Sequence, residues 1–165
     1  MALEIKQIGL SREAWGPRFW KVLHTLTEQT GNQTNQIMSN DEADTWIILL
    51  KTQAFVMPCT LCKQHFLEWL HAKRPETLRT LVGQARRDWL RSWLWGCHDR
   101  VNAMNQKKSP DIGILPEMYH KQSIEKSVRE LYGMFQQAMN TQQLKSEDVA
   151  KWKKSLAMLR NMYGI

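Results

Sequence analysis

The sequence is short of the residues that build disulfide-stapled or strand-rich folds. Its 165 residues include three cysteines, five prolines and eight glycines. An odd number of cysteines cannot complete a set of paired disulfides, so we do not expect a secreted disulfide scaffold. No segment alternates polar and apolar residues at a period of two, which argues against a β-rich fold.

Long apolar runs are missing as well. No segment approaches the roughly 20 apolar residues that span a bilayer, and no short apolar run follows a basic start as in a signal peptide. We therefore expect a soluble, cytoplasmic protein without a membrane partner. A chain of this length can bury its own core, so its cysteines are not needed as staples.

The formal charge of +7 favours acidic partners, such as nucleic acid or a helix with an acidic face. The lysines and arginines are spread along the chain rather than clustered, so nucleic acid is not the expected partner. A basic helical adaptor for acidic proteins stays open as an alternative function.

The chain is predicted to be all-α, because eight tryptophans and nine methionines supply core material while glycine and proline are few. Pro17 suits the first position of one helix, Ser39 and Glu42 have the spacing of a capping box, and Pro58 ends one helix and opens the next. Helices are expected over roughly residues 15–29, 39–55, 58–72, 85–105, 117–140 and 146–163.

An apolar stripe runs along the fifth of these helices. Ile124, Val128, Leu131 and Phe135 recur at the four-three-four spacing of a helix face that packs on a core. No repeat, low-complexity tract or long linker divides the chain. The sequence therefore predicts one helical unit.

The stretch "MPCTLC" places Cys59 and Cys62 three residues apart at a predicted helix start. Two such cysteines lie about one turn from each other, close enough to form a disulfide, and the helix N-terminus stabilises a thiolate. This geometry suits reversible oxidation. Two buried thiols without chemistry remain an alternative, because free cysteine is commonly buried.

A zinc-stabilised interaction module is the other alternative. Zinc needs two further ligands, and the sequence has no second C-x-x-C or H-x-x-x-H motif. The remaining candidates are scattered: His65, His71, Cys97 and His98. We therefore predict no metal site.

Three separated segments together carry a more specific signal. They are "WGPRFWKVLH", "MPCTLC" and "CHDRVN", in this order. They resemble the W-G-x-x-x-W-x-x-L-H, P-C-x-x-C and H-N-x-V-N blocks of the Erv/ALR family of FAD-dependent sulfhydryl oxidases. The sequences of these blocks are most similar to those of the compact members encoded by large cytoplasmic DNA viruses.

The resemblance implies a four- to five-helix bundle that binds FAD, with a helical extension after it. It implies an Erv/ALR-like domain over residues 1–120 and an extension over residues 121–165 packed on the same domain. Cys59 is then the outer sulfur that exchanges with substrate thiols, and Cys62 the inner one that reacts with the flavin. Electrons pass to dioxygen and give hydrogen peroxide.

The resemblance also implies which residues hold the cofactor. Trp20 and His24 share one helix face, and His98 and Asn102 share another. Lys107 and Lys108 stand where the family has basic residues. The expected FAD-binding residues are Trp15, Gly16, Trp20, His24, His98, Val101, Asn102, Asn105, Lys107 and Tyr119. The other tryptophans are assigned to the core, and Cys97 is expected to be a buried thiol.

Some features of the family pattern are absent. Asp99 replaces the asparagine that follows the histidine of the third block, and there is no second cysteine pair to relay electrons. The substrate is therefore expected to be a small thioredoxin-like or C-x-x-C redox protein that reaches Cys59 directly. The family also implies a homodimer formed through the first helices of the bundle. The expected location is the host cytoplasm, or the virion if the protein is viral.

Overall fold

The computed structural model describes residues 11–120 and 122–165, and within them the regular elements are all helical. The α-helices are α1 (Arg12–Glu28), α2 (Gln36–Gln53), α3 (Thr60–Ala72), α4 (Gly83–Met104), α5 (Leu115–Tyr119), α6 (Glu125–Asn140) and α7 (Ser146–Tyr163). Short 3-10 turns cover Ala54–Val56, Pro75–Thr80 and Ile112–Ile114. The all-α prediction is confirmed. None of the helices in the described part of the chain has the length and apolarity needed to cross a membrane.

Helix α1 begins at Arg12, so the prediction that Pro17 occupies the first helical position is wrong. The carbonyl of Ser11 accepts hydrogen bonds from the backbone N–H groups of Ala14 (2.9 Å) and Trp15 (3.1 Å). The Trp15 side chain is buried in the core. Packing of this large ring extends the helix toward the N-terminus, beyond Pro17. Pro17 therefore lies inside the helix, where its missing N–H costs one backbone hydrogen bond.

Helix α2 is capped by Asn35 rather than by the predicted box of Ser39 and Glu42. The Asn35 side chain accepts from the N–H groups of Ile37 and Met38. Ser39 and Glu42 lie inside the helix and are buried, and the proposed capping box is therefore wrong. The capping box was predicted only from the three-residue spacing of Ser39 and Glu42. Asn35, four residues earlier, is also a residue type that caps helices, and it is the one that caps α2.

Ser39 and Glu42 instead hold a buried cation. The Arg86 guanidinium donates to the Ser39 carbonyl (2.7 Å), the Ser39 hydroxyl (3.1 Å) and the Glu42 carboxylate (3.0 Å). Glu42 also accepts from the Tyr163 hydroxyl at 2.8 Å. Since a buried charge needs partners, this network joins α2, α4 and the end of α7.

Helices α1 and α4 are brought together where two glycines meet. Gly31 has a φ of +89°, and a Cβ built on it lies 2.1 Å from the carbonyl oxygen of Gly83. Any larger residue at this position requires the backbone to move. The contact fixes where α4 starts relative to the end of α1.

The predicted helix from Glu117 to Asn140 is divided in two. Helix α5 ends at Tyr119, His120 adopts an extended conformation, and α6 starts at Glu125. The division lets Tyr119 stack on His24 of α1 while Ile124 enters the core. A single straight helix was therefore the wrong prediction, since sequence periodicity does not report a change of direction between two packed segments.

Helices α6 and α7 share the core of α1 to α4. The predicted stripe of Ile124, Val128, Leu131 and Phe135 is buried, as expected. The ring of Trp152 packs edge-on against Phe19 (5.6 Å) and against Phe135 (5.3 Å). The division of the chain at residue 120 stays a prediction, but the two C-terminal helices are built into one core with the first four.

Candidate active site

A disulfide joins Cys59 and Cys62 at the start of helix α3, with the two Cα atoms 5.3 Å apart. Cys59 is the N-cap residue, and its Sγ accepts a hydrogen bond from the Cys62 N–H at 3.2 Å. Both residues are half-buried. The free N–H groups and the dipole of the helix favour negative charge on a sulfur at this position.

Beside the disulfide lies a largely apolar cavity of about 190 Å³. It opens between α1, α3 and α4, with the end of α2 as a further wall. It is lined by Arg12, Trp15, Gly16, Phe19, Trp20, Leu23, Gln53, Met57, Leu61, Cys62, His65, Phe66, Trp69, Cys97, Arg100, Val101, Met104 and Asn105.

Six of the sequence-predicted site residues line this cavity. They are Trp15, Gly16, Trp20, Cys62, Val101 and Asn105. The others, including Cys59, lie outside its wall. The two sulfurs of the disulfide therefore differ in environment, because Cys62 lines the cavity and Cys59 does not.

Four predicted residues form an aromatic cluster that is continuous with the cavity through Trp20. The rings of Trp20 and His98 stack at a centroid distance of 4.1 Å, and those of His24 and Tyr119 stack at 4.8 Å. The two histidine rings are 5.8 Å apart. Residues from α1, α4 and α5 thus meet, although they are far apart in the sequence.

The histidines of the aromatic cluster are held neutral. Burial and, to a smaller extent, the nearby His98 together lower the pKa of His24 to about 3. The pKa of His98 is lowered to about 4, chiefly by burial; the Asp99 carboxylate opposes the shift and the Lys107 ammonium contributes to it. The cluster therefore presents flat, uncharged rings at neutral pH, which suits stacking on an aromatic ligand.

The remaining predicted residues lie at the C-terminal end of α4. The Asn102 amide donates to the Ser109 hydroxyl at 3.0 Å, and the Asn102 carbonyl accepts from the Lys107 N–H at 2.8 Å. The Asn105 amide donates to the Val101 carbonyl at 3.0 Å. Asn102 thus shapes the turn after α4. The Lys107 side chain that follows is exposed, and its charge acts on His98.

Twelve of the eighteen residues that line the cavity were not assigned to the site by the sequence analysis, and two of them, Trp69 and Gln53, carry buried N–H donors without a partner in the described part of the chain. Trp69 was assigned to the core, yet it lines the cavity from the same side of α3 as Cys62. The i, i+7 spacing of Cys62 and Trp69 was a usable signal. Gln53 gave no motif signal, since a single glutamine near the end of a helix usually faces water.

Three buried N–H donors in the cavity wall have no hydrogen-bond partner in the described part of the chain. They are Trp15 Nε1, Trp69 Nε1 and Gln53 Nε2. An unsatisfied buried donor costs about 1–3 kcal/mol. Three of them around one apolar cavity indicate a wall built to meet a ligand with several acceptor atoms.

Cys97 also lines the cavity, but as a protonated thiol. It is buried, and burial raises its pKa to about 12. Since only the thiolate is a good nucleophile, Cys97 is not a candidate for thiol exchange. This agrees with its prediction as a buried thiol.

Comparison with known proteins supports the resemblance seen in the motifs. Residues 17–123 match the model of the Erv1 / Alr family. An FAD-linked sulfhydryl oxidase of African swine fever virus (isolate Pig/Kenya/KEN-50/1950) is 29% identical over 114 residues, covering 69% of this chain and 86% of that protein. Its counterpart from isolate Tick/Malawi/Lil 20-1/1983 is 31% identical over 94 residues, covering 57% of this chain and 70% of that protein. No solved structure matches the chain at a comparable level. The family match covers most of the chain and includes the disulfide, so this chain belongs to the Erv1 / Alr family.

Proposed function

We propose that this chain is an FAD-linked sulfhydryl oxidase that forms disulfide bonds in protein substrates. The observation that carries the proposal is the asymmetric disulfide: Cys62 lines an aromatic cavity, while its partner Cys59 lies outside the wall. Such a pair can accept electrons from a substrate on one side and pass them to a bound cofactor on the other. The viral relatives carry the same activity in their names.

The residues around the cavity fit FAD. Flat aromatic walls suit a planar ring system, and the donors of Trp15, Gln53 and Trp69 suit its carbonyl oxygens and ring nitrogens. We assign Cys59 and Cys62 as the redox pair. The residues that hold FAD in this proposal are those of the sequence prediction: Trp15, Gly16, Trp20, His24, His98, Val101, Asn102, Asn105, Lys107 and Tyr119.

Thiol–disulfide exchange accounts for the first half of the reaction. A substrate thiolate attacks Cys59 Sγ, the bond between the cysteines breaks, and Cys62 is released as a thiolate. A second substrate thiolate then attacks the substrate sulfur of this mixed disulfide and releases Cys59. The substrate gains a disulfide, and two electrons remain on the reduced cysteine pair.

The local structure assists the release of Cys59. The N-terminus of α3 and the Cys62 N–H stabilise negative charge on its Sγ, which makes it a better leaving group. When bound, FAD supplies the two-electron chemistry that restores the disulfide and passes electrons to dioxygen, which yields hydrogen peroxide.

The surface beside the disulfide suits a protein substrate. Leu61 is 56% exposed and Phe55 is 40% exposed, and the Lys63 ammonium lies over the Phe55 ring. Exposed apolar side chains next to a reactive group are typical of protein contact sites. The one further cysteine, Cys97, is buried. A substrate therefore reaches Cys59 itself in this proposal, which favours a small C-x-x-C redox protein. The viral relatives favour a location in the host cytoplasm or the virion.

Serine variants of the redox pair test the proposal. Purified protein should be yellow, with about one FAD per chain. Cys59→Ser and Cys62→Ser should each abolish thiol-dependent oxygen consumption and retain the flavin, because each removes a sulfur that the exchange needs. The measurements are oxygen uptake with a dithiol and the flavin absorbance of the same sample.

Gln64→Ser provides the control, since this exposed residue follows Cys62 on α3 and does not line the cavity. It should retain both activity and flavin. Wild-type protein without flavin, or a Cys62→Ser variant that still turns over, contradicts the proposal. Colourless wild-type protein would favour the basic adaptor instead.

A further inference from the structure

The amide orientation of Gln53 is fixed by a residue far away in the chain. The indole N–H of Trp152 donates to Gln53 Oε1 at 2.8 Å, and both side chains are fully buried. An indole nitrogen can only donate, so the carbonyl end of the amide must face Trp152. The NH₂ end is then directed away from Trp152; it has no partner among the described residues, and Gln53 is one of the residues that line the cavity.

Trp152 belongs to α7, outside the residues 17–123 that match the family model. It lies among the apolar side chains of α1 and α6 and does not line the cavity. Its hydrogen bond therefore connects the C-terminal extension to the cofactor cavity. Without this hydrogen bond, the Gln53 amide could rotate and present its oxygen to the cavity.

We propose that Gln53 binds the acceptor edge of the flavin ring and that Trp152 is a positioning residue that acts through it. This inference rests on the proposed function. The Gln53 NH₂ group donates to a carbonyl oxygen or ring nitrogen of the isoalloxazine, and Trp152 keeps the donor end of the amide directed there. The C-terminal extension thereby sets the polarity of the cavity as well as closing the core.

Such a donor stabilises the reduced ring more than the oxidised ring, because reduction adds electron density to the acceptor atoms. Loss of the donor should lower the reduction potential of the bound flavin as well as weaken its binding. A residue that merely packs the core affects stability without shifting the potential. The two readouts therefore separate positioning from packing.

The test uses the holoenzyme with Gln53→Met, which removes the donor at similar volume, and Trp152→Phe, which removes the indole N–H and keeps an aromatic ring. The FAD dissociation constant is measured from flavin fluorescence on dilution, and the reduction potential by equilibration with a reference dye. We expect each variant to weaken FAD binding about three- to tenfold, the range of one hydrogen bond. We also expect each to lower the potential.

Trp46→Phe is the matched control. The Trp46 indole donates to Thr30 Oγ1 and to the Tyr163 hydroxyl, both at 3.0 Å, and it is fully buried away from the cavity. This variant should lose stability and leave both flavin readouts unchanged.

Wild-type FAD affinity and potential in Gln53→Met overturn the inference, as does an equal shift in Trp46→Phe. If Trp152→Phe does not fold, Gln53→Met decides alone. A folded Gln53→Met variant without FAD supports the inference. Wild-type protein without FAD overturns the proposed function and this inference with it, whereas unaffected flavin in Gln53→Met overturns the inference alone.

Discussion

At the residue scale, the site is distinguished by ionisable groups that are kept uncharged. His24, His98 and the Cys97 thiol are all neutral near pH 7, because burial disfavours their charged forms. His24 faces Trp20, His98 and Tyr119, and none of these supplies a carboxylate. The charged groups Asp99 and Lys107 act on His98 in opposite directions and partly cancel. The aromatic cluster therefore behaves as an apolar surface.

This neutrality predicts a loss of stability in mild acid. In the unfolded chain a histidine titrates near pH 6.5, whereas the folded-state pKa values of His24 and His98 are about 3 and about 4. Between about pH 4 and 6.5 the unfolded chain binds protons that the folded chain does not. The free energy of unfolding therefore falls as the pH falls through this window, by up to about 1.4 kcal/mol per pH unit for each group.

Denaturant unfolding at pH 7 and pH 5 measures the effect. His24→Asn should remove about 1–2 kcal/mol of the wild-type difference between the two pH values, because the variant has no imidazole to protonate. His71→Asn, at an exposed position on α3, should leave the difference unchanged. An unaltered pH dependence in His24→Asn contradicts the assignment of His24 as a buried neutral group.

At the scale of elements, the C-terminal helices are part of the fold that holds the site. Helix α7 packs along α2, and α6 packs along α1, with Arg18 and Glu130 paired across the second contact. Two polar links between α2 and α7, Trp46 to Tyr163 and Trp152 to Gln53, add direction to this packing. The sequence leaves open a docking role for the extension, and the buried stripe favours a structural one.

Truncation after Tyr119 should therefore destabilise the whole protein rather than impair substrate docking alone. It removes Phe135 and Trp152, which pack on Phe19. Loss of one such buried aromatic side chain costs about 3–5 kcal/mol, against a total stability of about 5–15 kcal/mol. Circular dichroism and flavin content should both decline.

Two point variants on α7 refine this test. Trp152→Ala should lower the melting temperature strongly, whereas Met158→Ala, at a position 45% exposed on the same helix, should leave it nearly unchanged. A truncated protein that stays folded and yellow, oxidises a small dithiol and fails only with a protein substrate would support docking instead.

At the scale of the whole molecule, the surface carries apolar side chains that the monomer leaves uncovered. Ile37 is 71% exposed and Ile48 is 50% exposed, and both lie on the same face of α2, eleven residues apart. Helix α1 carries none of the large exposed apolar side chains in the described part of the chain. If the protein dimerises through its first helices, as the family resemblance implies, this face of α2 is the better surface.

We expect a homodimer at micromolar concentration, measured by analytical ultracentrifugation. Ile48→Lys should shift the protein toward monomer, because it replaces an exposed apolar side chain on this face with a charge. Met158→Lys makes the same kind of change on α7 and should leave the dimer intact. A monomeric wild-type protein contradicts the dimer prediction, and a dimer that survives Ile48→Lys contradicts the choice of face.

The sequence by itself determined the features that depend on short-range spacing. Apolar residues at intervals of three and four gave the helices and the buried stripe of α6, and Cys59 and Cys62 were placed at a helix start because Pro58 precedes them. The three motif blocks identified the family, since each block is a local pattern. These signals act within one or two helical turns.

Only the tertiary structure decided which residues from distant segments meet. The Gln53 to Trp152 hydrogen bond joins positions 99 apart in the chain, and nothing in the local sequence of either residue reports it. The same holds for the Arg86 network, which takes Ser39 and Glu42 away from the cap they were predicted to form. Helix packing selects these partners, because a buried polar atom takes whichever group the fold brings within reach, and that choice is made by the assembled core.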